Sequence, residues 1–473
     1  MKSSVTFDRL TFDHLAAGLL FVAIAATACL MPAQSDTFWH LRAGQDFWRT
    51  HHVPLVETYS HTAAGSFWPN HEWLWQAVSS GLVHLGGMPL LQAFAALIVT
   101  SAFLLAYRLS VGATSTRFLL MVLGIPVCAC VWALRPQIVS LALLALLVTL
   151  LARDRLRWVV PLFIVWANVH GAVALGGAVL VVAAGLALWR ARSGDAVDRR
   201  RARLLAALVP LCAAATALTP LGPRLWTFIL ESIGRSRRTL IMEWMPAYPK
   251  GPVEIAFWVL AVAFVVLFFA RRRRLRAWSD VVVVGAALVV LALAIRAVRN
   301  IPPFLLLAIP AASRLLGEDF RLPMRKAGAD EEHPRLNLAL LAGLGVLAAA
   351  TVAFAWTTRL PMLGWDPLSP RVLAAVRACP GPLYNRYNDG GYLTWFAPER
   401  AVFIDSRQDP YPLDFVLEAV TADSHAAPDA LLERYHIGCA LLPSDSTTVP
   451  HLRNEGWRVV TDEKPWVVLA RQR

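Results

Sequence analysis

Charge is scarce in this sequence. Asp, Glu, Lys and Arg make up 16% of its 473 residues, against about 25% in a soluble globular domain. That shortage excludes an ordinary soluble fold, and the 57% of residues that are hydrophobic point the same way. Lysine is almost missing, with 4 residues against 41 arginines, a bias expected of a GC-rich bacterial genome. Cysteine is sparse as well. Of the 6, Cys29, Cys128, Cys130 and Cys212 lie in apolar runs, and no spacing is of the metal-holding kind. Cys379 and Cys439 lie in a polar C-terminal stretch, where an oxidising compartment would allow a disulfide. Neither a P-loop nor a GxGxxG fingerprint occurs, so nothing recommends a nucleotide ligand. No small-residue cleavage site follows the first apolar run, which therefore reads as an uncleaved span rather than a signal peptide.

What is present is apolar length. Runs at 15–31, 89–107, 118–134, 136–151, 158–169, 173–189, 204–219, 253–270, 281–295, 304–316 and 336–356 read as about eleven membrane-spanning helices. The stretch 158–189 is generous for one span and tight for two, and the charge pattern decides for two. With a cytoplasmic N-terminus, the loops "RLSVGATSTR", "RDRLR", "RARSGDAVDRRRAR", "RRRRLRAWSD" and "GEDFRLPMRKAGADEEHPR" then share the cytoplasmic side. That is the positive-inside rule. A single span would separate "RRRRLR" from "RARSGDAVDRRRAR". Most of the net charge of +13 is thereby a matter of orientation, and no nucleic acid is expected as partner.

The expected fold class is an α-helical polytopic membrane protein with a small C-terminal extracytoplasmic α/β domain, seated in a bacterial inner membrane. Residues 1–356 would form the membrane domain, with a large first external loop at 32–88, and a polar cytoplasmic linker at 324–335. In 357–473 the apolar runs shorten while Pro, Gly, Asp and Tyr rise. There "AVFID", "CALLP" and "WRVV…WVVLA" read as strands, and "RVLAAVRA" and "PDALLERYHI" as helices.

This threading gathers the polar chemistry on one face of the membrane. Residues 31–76 hold five of the twelve histidines (His40, His51, His52, His61, His71) and five of the eighteen tryptophans (Trp39, Trp48, Trp68, Trp73, Trp75). Interfacial anchoring explains tryptophans in such a place. It does not call for Asp36 just past the first span, for His40 and Arg42 at helical spacing after it, or for His71 beside Glu72. The same face receives Arg135, His170 in "NVHG", Glu243 in "IMEWMPAY", and Arg296 and Arg299 in "RAVRN". Arg296 and Arg299 are spaced to share a helix face, and outward arginines beside apolar spans suit a phosphate clamp. In the tail, "YNRYNDGGYLTWF" and "FIDSRQDPY" offer Tyr384, Asn385, Asn388, Asp389, Asp405, Arg407 and Asp409 as sugar-binding groups. Gly390 and Gly391 read as a turn with close backbone approach, and Asp405 as the end of a strand.

A first helix, then an outward segment with an early acid in "DTFWHLRAG", then "NHEWL", resembles the GT-C superfamily of polytopic glycosyltransferases. The resemblance extends over most of the chain. It implies a polyprenyl-phosphate-linked sugar as donor and an extracytoplasmic glycan, lipid or protein as acceptor. It further implies that Asp36 is the catalytic acid/base, held at the membrane surface near the lipid phosphate. Many members carry two adjacent acids there, whereas Asp36 is followed by Thr37; a divalent metal is left open as cofactor. Chemically, the acceptor hydroxyl needs a base, which Asp36 and Glu72 offer. The departing phosphate needs positive charge, which Arg135, Arg296 and Arg299 offer. His40, Arg42, His71, His170, Glu243, Asp405 and Arg407 are the remaining substrate-binding candidates.

Two other readings compete. A transporter or lipid flippase would keep charge near the middle of its spans, where this sequence has little. A non-catalytic assembly or sensor protein would use its outward domain only to bind glycan.

Overall fold

A computed structural model describes residues 10–236, 242–320 and 333–472. Most of the expected linker at 324–335 lies outside the described residues. The chain divides into two compact units, one of Met1–Met31, Leu91–Pro223 and Ile241–Leu360, the other of Pro32–Leu90, Arg224–Leu240 and Pro361–Arg473.

Each of the eleven apolar runs forms a helix: α1 (Phe12–Ala28), α3 (Trp73–Leu109), α4 (Thr114–Ala129), α5 (Gln137–Ala152), α6 (Val159–Val169), α7 (Val173–Ala191), α8 (Ala196–Ala215), α10 (Pro252–Arg271), α11 (Trp278–Arg296), α12 (Ile301–Leu316) and α13 (Pro334–Thr358). Among the described residues, five segments are long and apolar enough to cross a membrane: Trp73–Leu109, Val173–Ala191, Pro252–Arg274, Trp278–Arg296 and Pro334–Thr358. Shorter apolar helices accompany them. In α10 and α13 the apolar side chains turn outward, Val262 at 56% and Val346 at 70% exposure. A helix that is apolar all round and open on its outer side is solvated by lipid. The protein is a multi-pass membrane protein.

Helix ends follow local chemistry. The stretch expected to hold two spans does break, at His170, whose extended backbone (φ −166°, ψ 140°) separates α6 from α7. Inside α3, Gly86 and Gly87 leave helical geometry just before Pro89. Gly87 has φ +68°, a conformation that favours glycine, and Pro89 has no N–H to continue the ladder. On the basic side, Arg201 bonds both Asp154 and Asp198, and Arg190 bonds Asp198 at 3.1 Å. Arginines of the basic loops thus tie those loops together.

In the second unit, the segment after the first span is a helix rather than a loop: α2 (Ser35–Thr50). Thr37 Oγ1 accepts the Gln34 amide at its start (3.0 Å), and His51 ends it in the left-handed conformation. Four strands, β1 (Leu383–Tyr384), β2 (Cys439–Pro443), β3 (Arg458–Glu463) and β4 (Trp466–Ala470), form a sheet in the order β1-β2-β4-β3. The β1–β2 pair is parallel and the others antiparallel, with an irregularity between Val459 and Thr461. Alternate β2 residues feed two apolar cores, Ala440 and Leu442 one, Cys439 and Leu441 the other. This unit also holds α9 (Arg224–Ser236), and helices α14 (Pro370–Arg377), α15 (Gly390–Phe396), α16 (Leu413–Ser424), α17 (Asp429–Arg434) and α18 (Thr448–Asn454) complete the tail. Cys379 and Cys439 are joined in a disulfide with Cα atoms 6.0 Å apart. "CALLP" and "WRVV…WVVLA" are strands as expected. "AVFID" is not: it makes one isolated bridge, Val402 to Ser60, because its amides are taken by Tyr59 and Asn385 instead of a neighbouring strand.

Candidate functional site

In the second unit, Asp36 and His40 stand one turn apart on α2, on the same face. Asp36 Oδ1 accepts hydrogen bonds from Trp39 Nε1 (3.2 Å) and from the hydroxyl of Ser406. The Trp39 indole lies tilted against the His40 ring, centroids 3.6 Å apart. His40 is 2% exposed, and its Nε2 lies 3.7 Å from Glu72 Oε2. On the other oxygen of Glu72, His71 Nε2 stands at 3.6 Å. A carboxylate between two imidazoles is a proton-handling arrangement whose charge depends on where the protons sit. The two expected acids, Asp36 and Glu72, therefore belong to one cluster, linked through Trp39 and His40. Arg42 is close along α2 but turned away, bonding Asp46 at 3.3 Å, which also accepts from the Tyr59 hydroxyl at 2.8 Å.

The tail completes this cluster in a way that corrects two expectations. Residues 405–408 alternate, with Asp405 and Arg407 buried and Ser406 and Gln408 partly open. Asp405 and Arg407 do not line a surface: both side chains are fully enclosed. Arg407 is held by Asp405 at 2.6 Å and Glu57 at 2.5 Å, between the rings of Tyr59 (4.7 Å) and Trp68 (4.6 Å). Two carboxylates outweigh the cost of burying the guanidinium and hold its pKa above the ordinary value. The pair is therefore a buried brace rather than a sugar contact. Tyr384 and Asn385 are likewise buried, the Asn385 amide spent on Ile404 O and Phe403 N. Asn388 is exposed and Asp409 partly so, while Asp389 is buried against Arg386. Gly390 and Gly391 open α15 rather than form a turn, but the close approach is real. A Cβ on Gly391 would sit 2.3 Å from the Ser35 carbonyl oxygen.

The tryptophans do not anchor the segment to a bilayer surface as a group. Trp39, Trp68 and Trp75 are 6%, 2% and 2% exposed; they are core, because α2 and the following loop fold against the tail. Trp48 alone of the five is largely exposed, and its Nε1 donates to the Ala77 carbonyl.

In the first unit, four further candidates meet. Arg135 Nη1 donates to Glu243 Oε1 at 2.7 Å. The Arg299 guanidinium lies 4.1 Å over the Trp244 ring and 3.4 Å from His170 Nε2. His170 Nδ1 is 2.8 Å from Ser140 Oγ, which also accepts from Trp166 Nε1 at 2.8 Å. Arginine can only donate, so Nε2 is the acceptor and the Nδ1 proton goes to Ser140. Burial works against the charged form of Glu243, but Arg135 and Arg299 outweigh it and hold the carboxyl below its ordinary range. Arg296 is not part of this group. It ends α11, Ala297 is extended, and Arg299 belongs to a short 3-10 turn ahead of α12, so the two arginines share no helix face. Arg296 is exposed.

Among the described residues, no three His, Cys, Asp or Glu side chains are grouped to hold a metal ion. Ser406, Tyr387 and Glu57 were not singled out from the sequence. Ser406 and Tyr387 lie inside the tail motifs, but only folding brings Ser406 to Asp36. Burial, then the Asp36 charge, push the Tyr387 phenol above its ordinary value, which marks the same proximity. Glu57 carried no signal at all, being a lone acid in a loop.

The fold of this chain is shared with solved structures of an archaeal oligosaccharyltransferase and of ArnT. Structures sharing the fold include archaeal oligosaccharyltransferase AglB from Archaeoglobus fulgidus, solved with an inhibitory peptide and a dolichol-phosphate (TM-score 0.55, 10% identity, covering 90% of this chain and 69% of that chain). ArnT from Cupriavidus metallidurans, bound to undecaprenyl phosphate, is similar at TM-score 0.53 and 14% identity, covering 96% of this chain and 97% of that chain. Its apo structure gives TM-score 0.53 and 13% identity over the same shares of the two chains. No family model matches the chain, and no curated protein matches it in sequence.

Proposed function

We propose that this protein is a membrane glycosyltransferase that moves a sugar from a polyprenyl-phosphate carrier to an acceptor outside the cytoplasm. The observation that carries the reading is the setting of Asp36: a partly open carboxylate, fixed by two donors, beside an imidazole–carboxylate cluster. This setting occurs in a fold shared with proteins solved with polyprenyl phosphates. Asp36 takes the proton from the acceptor hydroxyl as its oxygen bonds to the anomeric carbon. The bond from that carbon to the phosphate oxygen breaks, and the polyprenyl phosphate leaves with the electron pair. Glu72, flanked by His40 and His71, relays or stores a proton next to this acid. Arg135 and Arg299, in the first unit, carry positive charge of the kind a phosphate needs. The Cys379–Cys439 disulfide supports an oxidising compartment for the second unit, and the basic loops support a cytoplasmic N-terminus.

Purified full-length protein in detergent, given polyprenyl-phosphate sugars labelled in the sugar, should release or transfer label, and Asp36→Asn protein should not. Binding of the lipid with no turnover in any sugar series would favour a carrier or glycan-binding role instead.

A further inference from the structure

We propose that Asn70 and Gln76, two buried amides of the second unit, are positioning residues that set the Glu72 carboxylate between His40 and His71. The proposal rests on the reading of Asp36 and Glu72 given above and adds residues that touch no reacting atom. Asn70 Nδ2 donates to Gln76 Oε1 at 2.8 Å, and Gln76 Nε2 donates to Asn70 Oδ1 at 2.6 Å. Asn70 Nδ2 also donates to the Pro54 carbonyl at 3.3 Å. A carbonyl only accepts, so this bond fixes which way round the Asn70 amide lies, and Gln76 has to match it. The two residues are 2% and 1% exposed. Losing one of them leaves polar atoms of the other buried and unsatisfied, so the link is held shut. It closes the segment 70–76, in which the chain passes from loop into α3, and His71 and Glu72 lie inside it. The Gln76 amide also donates to the Glu72 carbonyl at 3.1 Å.

Gln76 is also the residue against which α2 is set. A Cβ on Gly44 would lie 1.9 Å from the Gln76 carbonyl oxygen and 2.6 Å from Ser80 Cβ, so only glycine permits this approach of α2 to α3. Gly44 follows His40 by one turn of α2. A turn further on, Trp48 Nε1 donates to the Ala77 carbonyl at 2.8 Å. His40 thus comes from a helix fixed at Gln76 and Ala77, and Glu72 from a turn fixed at Gln76. The same residue places both halves of the His40–Glu72 pair, 3.7 Å apart, while His71 stands 3.6 Å from the other Glu72 oxygen. At such separations a displacement of about 1 Å decides whether a proton can pass, and it can cost about 100-fold in rate. A purely structural role is separable from this one. Replacing both amides by apolar groups of similar shape is nearly neutral for folding, yet it removes the directional link.

The test uses full-length protein in detergent, a pool of undecaprenyl-phosphate sugars radiolabelled in the sugar, and thermal unfolding in parallel. The double variant Asn70→Leu, Gln76→Met should unfold near the wild-type temperature. Its kcat should fall by about 10- to 100-fold with donor KM unchanged. Gly44→Ala, which leaves the amides in place, should do the same. The exchange Asn70→Gln, Gln76→Asn, which keeps two amides face to face, should recover most of the rate. Because the pair acts through Glu72, neither the double variant nor Gly44→Ala should lower kcat further in a Glu72→Gln background. Wild-type kcat in a folded double variant, a loss confined to KM, or a full further loss on top of Glu72→Gln overturns the proposal and leaves Asp36 as the base. If wild-type protein transfers none of the labels, the glycosyltransferase reading fails and the proposal goes with it. Should the double variant not fold, Gly44→Ala with and without Glu72→Gln decides.

Discussion

Ser406 donates its hydroxyl hydrogen bond to Asp36 across 370 residues of sequence. Trp39 donates to the same carboxylate oxygen from one turn further along α2. Two donors on one oxygen fix the rotamer of the acid and leave its reactivity dependent on a residue from the opposite end of the chain.

Asp36→Asn keeps the shape and removes the base, so transfer should fall by roughly 10²–10⁴-fold with normal membrane insertion. Ser406→Ala should cost about tenfold, the worth of one charge-assisted hydrogen bond. The loss should lie in kcat with donor KM unchanged, and Ser406→Thr should restore it. A loss that Thr does not rescue, or that falls in KM, would reduce Ser406 to packing.

Arg299→Gln and Arg135→Gln should each weaken donor binding by about tenfold or more, measured as donor KM or as affinity for the lipid phosphate. Arg296→Gln should leave both nearly unchanged, since that side chain is exposed at the end of α11. An equal effect at all three positions would indicate general attraction instead of a site.

Arg407→Met should destabilise the second unit by about 3–5 kcal/mol, because it strands Glu57 and Asp405 as buried, uncompensated charges. Limited proteolysis near 55–70 and 400–412 should accelerate. The triple replacement Glu57→Gln, Asp405→Asn, Arg407→Met should recover part of the loss.

Asp423 is pushed up to about 6, by burial first and by Asp389 in addition, against the opposing pull of Arg386. A carboxyl whose folded pKa lies above the unfolded one favours folding while protonated. Its contribution is full below pH 4 or so and is lost as pH rises through about 6. Asp423→Asn should therefore raise stability at pH 7 by about 1 kcal/mol, after allowing for screening at this partly open position. The gain should vanish at pH 4. Thermal unfolding at the two pH values checks the sign.

Orientation is checked by added cysteines in a Cys29→Ala, Cys130→Ala background, which leaves only the buried Cys128 and Cys212 and the disulfide. Ser193→Cys, in the basic loop after α7, should react only from the cytoplasmic side. Ser424→Cys, at the end of α16, should react only from the other.

How far the sequence reached is clear from particular residues. Eleven apolar runs foretold eleven helices, and among the described residues five segments are long and apolar enough to cross a membrane. The break at His170 followed from counting charges across loops. Short apolar runs gave β2, β3 and β4. Asp36, Glu72, Arg135, Glu243 and Arg299 were recognisable as charges on the polar side of apolar spans, where desolvation makes a charge costly unless it has a use or a partner. What the sequence could not show is which of these charges meet. Arg296 and Arg299 have perfect helical spacing, yet the chain turns between them. Arg407 looks like a sugar ligand in "FIDSRQDPY", yet only the folded second unit brings Glu57, Tyr59 and Trp68 around it. Trp39 and Trp68 have the composition of interfacial anchors and the burial of a core. Partner choice among charges and rings is set by distances of 3–5 Å, and such distances between residues hundreds of positions apart exist only once the chain has folded.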